Sequence, residues 1–500
     1  MNIELGKLGT DFCLTGHRVG IIGGGPGGLM TAFLLEKRSN FSCDITLFES
    51  GPRLGGKIVT EQFDRAPVRY EAGAAELYDY SRLGEDPLRE LIDELGLSTS
   101  PMDGQTVVMG DRVLKSPADI RREFGETTCS ELDAFHHLAQ AAISPAEYYE
   151  SDWKEDNEDL LSRQTFRELI AEVKDENARR YIEVLIHSDL ATEPHLTNAM
   201  YGLQNYLMNG PEYMSLYTID GGIESLPRRL AERLMAKILL NHRVVRVEKT
   251  PDDRYRIFSM HQGEVRSDEF DYVVVALPNN WIPSITWGGP VLSEAMHRHH
   301  EFYDYPAHYL RVSILFEKPF WREQIAESYF MLDAFGGCCV YDESSRHSTG
   351  PHGVLGWLLA GDAALSMNNH DDDALIEAVL DSLPRSLRDA ARRHFIEGRV
   401  HRWVGAVNGM PGGFPAREPD SRHQPEPEQH PELFVVGDYL FDSTINGVLD
   451  SADVAAAWIL EDMEESVAEE LEGLSDDVML AAEPGLVQAQ ESLSVSMNPR

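Results

Sequence analysis

The stretch from His17 to Glu49 leaves this chain few folds to choose from. An apolar run, Val19-Gly20-Ile21-Ile22, leads into Gly23-Gly24-Gly25-Pro26-Gly27-Gly28. A helical pattern follows through Leu29, Ala32, Phe33 and Leu35, and a second apolar run, Ile45-Thr46-Leu47-Phe48, ends on Glu49. Strand, glycine turn, helix, strand and acid, in that order, make the dinucleotide-binding fingerprint, with its three glycines at Gly23, Gly25 and Gly28. Gly23 permits the tight turn, Gly25 lets backbone approach a pyrophosphate, and Gly28 lets the helix pack closely on the sheet. The phosphates are expected at the helix N-terminus, where unpaired N–H groups and the macrodipole favour negative charge. Glu49 stands twenty-one residues beyond Gly28, where an acid accepts hydrogen bonds from a ribose 2′-hydroxyl. The same acid repels a 2′-phosphate, which argues against NADP as the ligand.

Composition sets limits around that core motif. Five hundred residues exceed one ordinary hydrophobic core, so two or three domains are expected. No apolar run approaches the ~18 residues of a membrane-spanning helix. Met1 to Gly16 lacks the positive-then-apolar order of a secretion signal. The 84 acids against 44 bases give a net charge of −40, which disfavours DNA, RNA and anionic membranes as partners. Five cysteines, none in a CxxC pair, argue for a reducing compartment, so a cytoplasmic location is expected. The adjacent Cys338-Cys339 reads as two small buried strand residues. There is no metal-ligand spacing and no Ser/His/Asp triad, and His299-His300 and His136-His137 read as surface pairs.

Beyond Glu49, Arg53-Leu54-Gly55-Gly56-Lys57 sets two glycines between basic residues, which suits a second loop against phosphates. Tyr70 to Glu76 reads as a turn back toward the cofactor. A helix is predicted over Pro87 to Leu95 and a hairpin over Val107 to Leu114, with Gly110-Asp111 at its turn. Pro117 to about Met208 is mainly helical and charged, with an apolar stripe at Leu169, Ile170, Val173, Tyr181, Ile182, Leu185 and Ile186. Asp220-Gly221-Gly222-Ile223 precedes a helix carrying Leu226, Leu230 and Leu234. Strands are expected at Val244–Val247, Tyr255–Met260 and Tyr272–Leu277, then an alternating strand at Tyr309–Phe316 and an apolar one at Val354–Ala360. One amphipathic helix is predicted over Ala374 to Phe395 and an exposed loop over Pro411 to Pro431. Leu433 to Val436 reads as a short buried strand, and Gly447 opens a helix that ends by Glu472. The last roughly thirty residues are expected to be mobile.

Three separated stretches, Gly23 to Gly28 with Glu49, Arg53 to Lys57, and Gly437-Asp438 with Gly447-Val448-Leu449-Asp450-Ser451-Ala452, resemble the flavin-containing amine oxidoreductases. That family takes in monoamine, polyamine and L-amino acid oxidases, with protoporphyrinogen oxidases and carotenoid desaturases as relatives. The resemblance implies an α/β fold with a Rossmann-type, glutathione-reductase-like FAD-binding domain assembled from discontinuous segments, 1–85, 215–290 and 396–465. An α+β substrate domain with a helical insertion would occupy 86–214 and 291–395, and 466–500 an acidic tail. Non-covalent FAD is implied, because Asn408-Gly409-Met410-Pro411 holds no cysteine for a covalent link. In this likeness Glu49 holds the adenosine ribose, and Arg53, Gly55, Gly56 and Lys57 flank the phosphates, with lysine where the family usually has arginine. Val245 contacts adenine through backbone, Gly437 and Asp438 lie near the ribityl end, and Gly447 and Val448 present a helix tip to the flavin N1–C2=O edge. Trp403 matches an aromatic beside the isoalloxazine, with a core tryptophan as the alternative.

Two departures bear on the substrate. Amine oxidases carry a lysine on the strand before the Pro-Phe-Trp motif, and here that position is Arg311, which stays protonated. L-amino acid oxidases place a carboxylate-clamping arginine where this chain has Glu76, which would repel a carboxylate and attract an ammonium. Arg311, Trp403 and Glu76 are therefore the candidate catalytic residues, Arg311 having a structural, carboxylate-pairing role as its alternative. The leading expectation is an amine oxidase, acting on a small amine or amino-acid-like substrate. An L-amino acid oxidase, a C–C desaturase and a non-catalytic flavoprotein remain open. A homodimer through the helical insertion is what the family analogy implies.

Overall fold

In the computed structural model, residues 16–40, 43–82, 84–150, 160–346, 350–409, 422–441 and 443–472 are described. The strand His17–Ile22 runs at the centre of a five-stranded parallel sheet, in the order Lys237–Leu239, Cys43–Phe48, His17–Ile22, Tyr272–Val275, Leu433–Val435. Its strands read as near-continuous apolar runs because both faces are covered. Val19, Ile21 and Val274 point to helices Pro26–Arg38, Ser225–Arg233 and Ile445–Glu472, while Ile22, Val273 and Val275 pack on Val247, Tyr255, Ile257 and Phe270 of a four-stranded sheet. Gly20 makes that second contact close: a Cβ there would lie 2.5 Å from Ile257 Cδ1.

A seven-stranded sheet forms the second body, in the order Phe395–Asn408, Pro306–Phe316, Gly353–Ala360, Cys338–Asp342, Tyr329–Leu332, Val107–Met109, Arg112–Leu114. One face packs on helices Asp372–Ser382 and Arg385–His394, the other on the helical region that includes Glu176–Leu190 and Ala199–Leu207. A three-stranded sheet, Leu77–Asp79, Ser215–Ile219 and Thr99–Met102, completes the arrangement with a short hairpin at residues 60–71. The fold is thus mixed α/β. Among the described residues no helix is long and apolar enough to cross a membrane.

Several sequence expectations need correcting. The strand Phe395–Asn408 pairs along Pro306–Phe316 in the seven-stranded sheet, so it does not travel with the parallel sheet as the 396–465 assignment supposed. The helix predicted over 374–395 is two helices, because Pro384 cannot donate to a continuing ladder and pushes Leu383 into extended geometry. Alternation in Tyr309–Phe316 does not mark a wet face: Arg311 and Ser313 are fully buried, since helices and loops cover both sides. A strand at Glu264–Phe270 was not foreseen, its exposed charges masking the hairpin it makes with Tyr255–His261. His299 is fully buried against Tyr439, not a surface histidine. Of the expected loop at 411–431, residues 411–421 lie outside the described residues, and His423 and His430 are buried. The tail from 473 also lies outside them.

The tightest joint in the parallel sheet predicts its own sensitivity. A Cβ on Gly28 would sit 2.0 Å from the Gly23 carbonyl oxygen and 3.2 Å from Ile21 Cγ2. Gly28→Ala is expected to lower stability by roughly 2–3 kcal/mol or more, as overpacking against backbone cannot relax by rotamer change; urea unfolding that matches the parent midpoint would contradict this.

Candidate functional site

The two glycine loops meet backbone to backbone. Gly55 N–H donates to the Gly24 carbonyl at 2.8 Å, and a Cβ on Gly56 would lie 3.1 Å from Gly25 Cα. At Gly25 itself a Cβ would find only Gly56 Cα, 3.9 Å away, so the groove between the loops stays open. Gly23 turns with φ +114°, where a side chain would strike the Ala276 carbonyl at 2.3 Å. The helix Pro26–Arg38 begins there with no side-chain cap and no acid in its first turn, which leaves its positive end to an anion. Glu49 reaches over this groove, its carboxylate accepting from Gly24 N–H at 2.9 Å and Gly51 N–H at 2.6 Å. Arg53 folds back on its own loop and donates to the carbonyls of Leu54, Ile58 and Gly56. Val245 sits at a bulge of Arg243–Lys249, beside the turn where His242 N–H donates to the Glu49 carbonyl.

From the glycine loops the lane continues to residues far along the chain. Lys57 Nζ lies 3.3 Å from Asp438 Oδ2 and donates to the Ala406 carbonyl. Gly27 faces Val436 and Val448, whose methyls would meet its Cβ at 3.1 and 3.5 Å. Gly437 N–H donates to Ser451 Oγ at 3.1 Å. The last helix opens at Ile445, not at Gly447 as the sequence suggested. Thr444 caps it: its Oγ1 accepts from Gly447 N–H at 3.0 Å and its carbonyl from Val448 N–H at 3.2 Å. Those two donors are therefore occupied, and the tip itself is one half-turn earlier. The two glycine loops, the Glu49 carboxylate and the uncapped helix end therefore lie together, and Lys57 ties them to Asp438; an open groove, an uncapped helix end and an acid are a set that fits the pyrophosphate and ribose of a dinucleotide.

Trp403 borders the lane, its Nε1–H donating to the Ala72 carbonyl at 2.7 Å, and faces Tyr309 across the sheet. Arg311 lies behind it in a closed polar core. Its guanidinium pairs with Glu343, both side chains at 0% exposure, and stacks 4.9 Å from the Tyr341 ring. Arg346 lies at the same distance from that ring and donates to the Ala75 carbonyl. Burial pushes the Glu343 carboxyl up, yet the Arg311 and Arg346 guanidiniums bring it below the usual carboxylate range. Glu71 N–H donates to Glu343 at 2.8 Å, and the Glu71 carboxyl accepts from Ile223 N–H and Thr60 Oγ. Burial, then the Glu343 charge, raises Glu71 to about 7. Arg311 is thus enclosed and not presented to a substrate, whereas Glu76 is half-buried, hydrogen-bonded to the Tyr341 hydroxyl, with one carboxylate oxygen lacking a partner.

A cavity opens next to the last helix's cap, at Ser443 and Thr444, and is lined also by Asp189, Gln204 and Asn205 and by Tyr78, Tyr80, Tyr148, Tyr201 and Tyr309. Sequence reasoning passed over this chamber. Its one legible sign was Asp189, a charge on the face of Glu176–Leu190 that otherwise carries Ile182, Leu185 and Ile186. The five tyrosines come from four separate segments and gave no local signal.

A family model described as flavin containing amine oxidoreductase matches residues 26–460. Putrescine oxidase of Kocuria rosea is 24% identical over 348 residues, 63% of this chain and 68% of that protein. An L-amino-acid oxidase of Pseudechis australis is 21% identical over 295 residues, 55% of this chain and 53% of that protein, so little more than half of its length is spanned. Among solved structures, wild-type putrescine oxidase bound to putrescine superposes with a TM-score of 0.70 at 21% identity, covering 89% of this chain and 99% of that one. Cyclohexylamine oxidase from Brevibacterium oxydans IH-35A gives 0.68 at 21% identity, with 90% and 100% covered.

The buried acid at Glu71 makes stability depend on pH. Its folded value of about 7 lies above the unfolded carboxylate range, so the folded state holds the proton more tightly. That contribution is full below the unfolded pKa and is lost as pH rises through about 7. Glu71→Gln keeps a neutral acceptor, so the stability difference, parent minus variant, is expected to fall between pH 5 and pH 8 in thermal unfolding. Parallel curves would contradict it.

Proposed function

The chain belongs to the flavin-containing amine oxidoreductase family and is an FAD-dependent oxidoreductase, and from that premise we propose that it oxidises an amine at the carbon next to nitrogen, yielding an imine that water hydrolyses. The observation that carries this reading is the lining of the chamber beside Thr444, where tyrosines, a carboxylate and amides converge and no Lys, Arg or His contributes among the described residues. An amine brings N–H donors to those acceptors, whereas an amino acid's carboxylate would meet no cation there, Arg311 being closed off on Glu343. An apolar polyene would leave the same polar groups buried and unpaired, which disfavours carotenoid-type desaturation. The putrescine and cyclohexylamine oxidases among the structural relatives agree with amine chemistry.

FAD, when bound, supplies the hydride acceptor, and the protein supplies binding, orientation and exclusion of water. The parallel and four-stranded sheets would form the Rossmann-type, glutathione-reductase-like cofactor half, and the seven-stranded sheet with its helical layer the substrate half. In this reading the open end of Pro26–Arg38, with Gly25 and Gly56, takes the pyrophosphate, flanked by Arg53 and Lys57. Glu49 accepts from the ribose, the Val245 bulge offers backbone to adenine, and Asp438 meets the ribityl end. The tip at residues 445–446 would face the ring edge where negative charge grows, which helix-end N–H groups stabilise, the Gly447 and Val448 N–H groups being held by Thr444. Trp403 walls the ring. No cysteine follows Cys339, so the cofactor is held without a covalent bond to one in this part of the chain. Arg311 keeps its proton at working pH and is committed to Glu343, so it does not act as the lysine of related oxidases would.

Purified protein is expected to be yellow. Anaerobic mixing with a panel of amines, diamines and amino acids should bleach the flavin with amines first, and admission of air should restore colour with peroxide. Bleaching by amino acids alone would reverse the substrate reading. Glu76→Arg puts a cation where the Glu76 charge now acts on Asp189 of the chamber wall and is expected to lower amine kcat/KM by about tenfold or more relative to amino acids; an unchanged ratio would remove Glu76 from substrate selection.

A further inference from the structure

Asp189 is a carboxylate without a cation. It lines the tyrosine chamber, and among the described residues the hydrogen bond to its side chain is a long one from Asn209 Nδ2 at 3.4 Å. The neighbouring Tyr309 hydroxyl donates elsewhere, to the Ser188 carbonyl at 2.9 Å. Gln204, 5% exposed, lines the same chamber, and its Oε1 has no hydrogen-bond partner among the described residues. Burial, then the nearby Glu76 charge, raises Asp189 to about 8, so near neutral pH it holds a proton that a cation beside it would displace. Unpaired acceptors framed by tyrosine faces call for a compact cation rich in N–H donors.

We propose that Asp189, with Gln204 Oε1, receives a second, non-reacting ammonium, so that the substrate is a diamine or longer polyamine. The inference rests on the amine-oxidising reading and deepens it. The reacting nitrogen must be neutral before its neighbouring carbon can give up hydride. A carboxylate held against that nitrogen would favour the protonated form and oppose the step. Asp189 therefore suits the far end of the molecule. The geometry agrees, because Asp189 and Gln204 come from the helices Glu176–Leu190 and Ala199–Leu207, whereas the cofactor-side wall of the chamber comes from Asn408, Ser443 and Thr444. Spanning the chamber places one nitrogen at each end, with an alkyl chain between tyrosine rings.

The test compares 1,4-diaminobutane with butylamine on the full-length FAD-loaded protein, for the parent, Asp189→Asn, Asp189→Glu and Gln204→Leu. In the parent, kcat/KM for the diamine is expected to exceed that for the monoamine by about tenfold or more. Asp189→Asn should collapse that ratio through KM, Asp189→Glu should restore part of it, and Gln204→Leu should reduce it in the same direction. A parent without diamine preference, or an Asp189→Asn variant that slows both amines by one common factor, overturns the proposal. Calorimetric titration with the same two amines separates it from the oxidase reading. If no amine reduces the flavin, oxidation fails, while tighter diamine binding that disappears in Asp189→Asn still supports the receptor. Equal binding of both amines, or none, overturns the receptor as well. Should Asp189→Asn fail to fold, Asp189→Glu and Gln204→Leu carry the same readouts.

Discussion

The buried chain of contacts through Glu71, Glu343 and Arg311 holds the two bodies of this protein in register. Glu71 accepts from Thr60 and Ile223 on the side of the glycine loops, and its own N–H donates to Glu343, which lies just past a strand of the seven-stranded sheet. Arg311, from the middle of that sheet, closes the chain. Charges this deeply enclosed are costly to desolvate, and Glu343 offsets that cost for Arg311 through one guanidinium nitrogen, its Nε and Nη1 having no hydrogen-bond partner among the described residues. The result is a rigid floor beneath the place where glycine loops, sheet and helical layer meet. A lysine at position 311 would offer one mobile ammonium. The arginine instead spreads its charge over Glu343 and the Tyr341 ring, with Arg346 at the same distance from that ring.

Around that floor the polarity divides sharply. On the cofactor side backbone is brought close to backbone, and an uncapped helix end gives positive potential without a side chain. Lys57 adds a cation there, balanced by Asp438. On the chamber side the lining is aromatic and neutral-polar with one acid, Asp189, and no basic side chain among the described residues. Such a division suits a polyanionic cofactor and a cationic substrate approaching a shared boundary from opposite directions. The overall charge of −40 has no bearing on it, since the lining of one chamber, not the outer surface, selects what enters.

The sequence by itself determined the parts whose causes are local. The order of strand, glycine turn, helix and acid requires close backbone approach over a few residues, and Gly23 and Gly28 are glycines because a Cβ would collide with carbonyls at Ala276 and Gly23. Hence the parallel sheet, the two glycine loops and the cofactor class were legible. Periodicity also found the helical region and most strands. It erred where a tertiary partner changed the meaning of a pattern, as at Arg311 and Ser313, whose alternation faces a polar interior, and at Phe395–Asn408, which joined the other sheet. Only tertiary structure decided what Arg311 does, which tyrosines share a chamber and why Asp189 lies there. Those outcomes depend on contacts between distant residues, such as Tyr309 with Ser188, 121 positions apart. No local spacing encodes such meetings, because burial and pairing belong to the packed chain and not to the neighbours of any one residue.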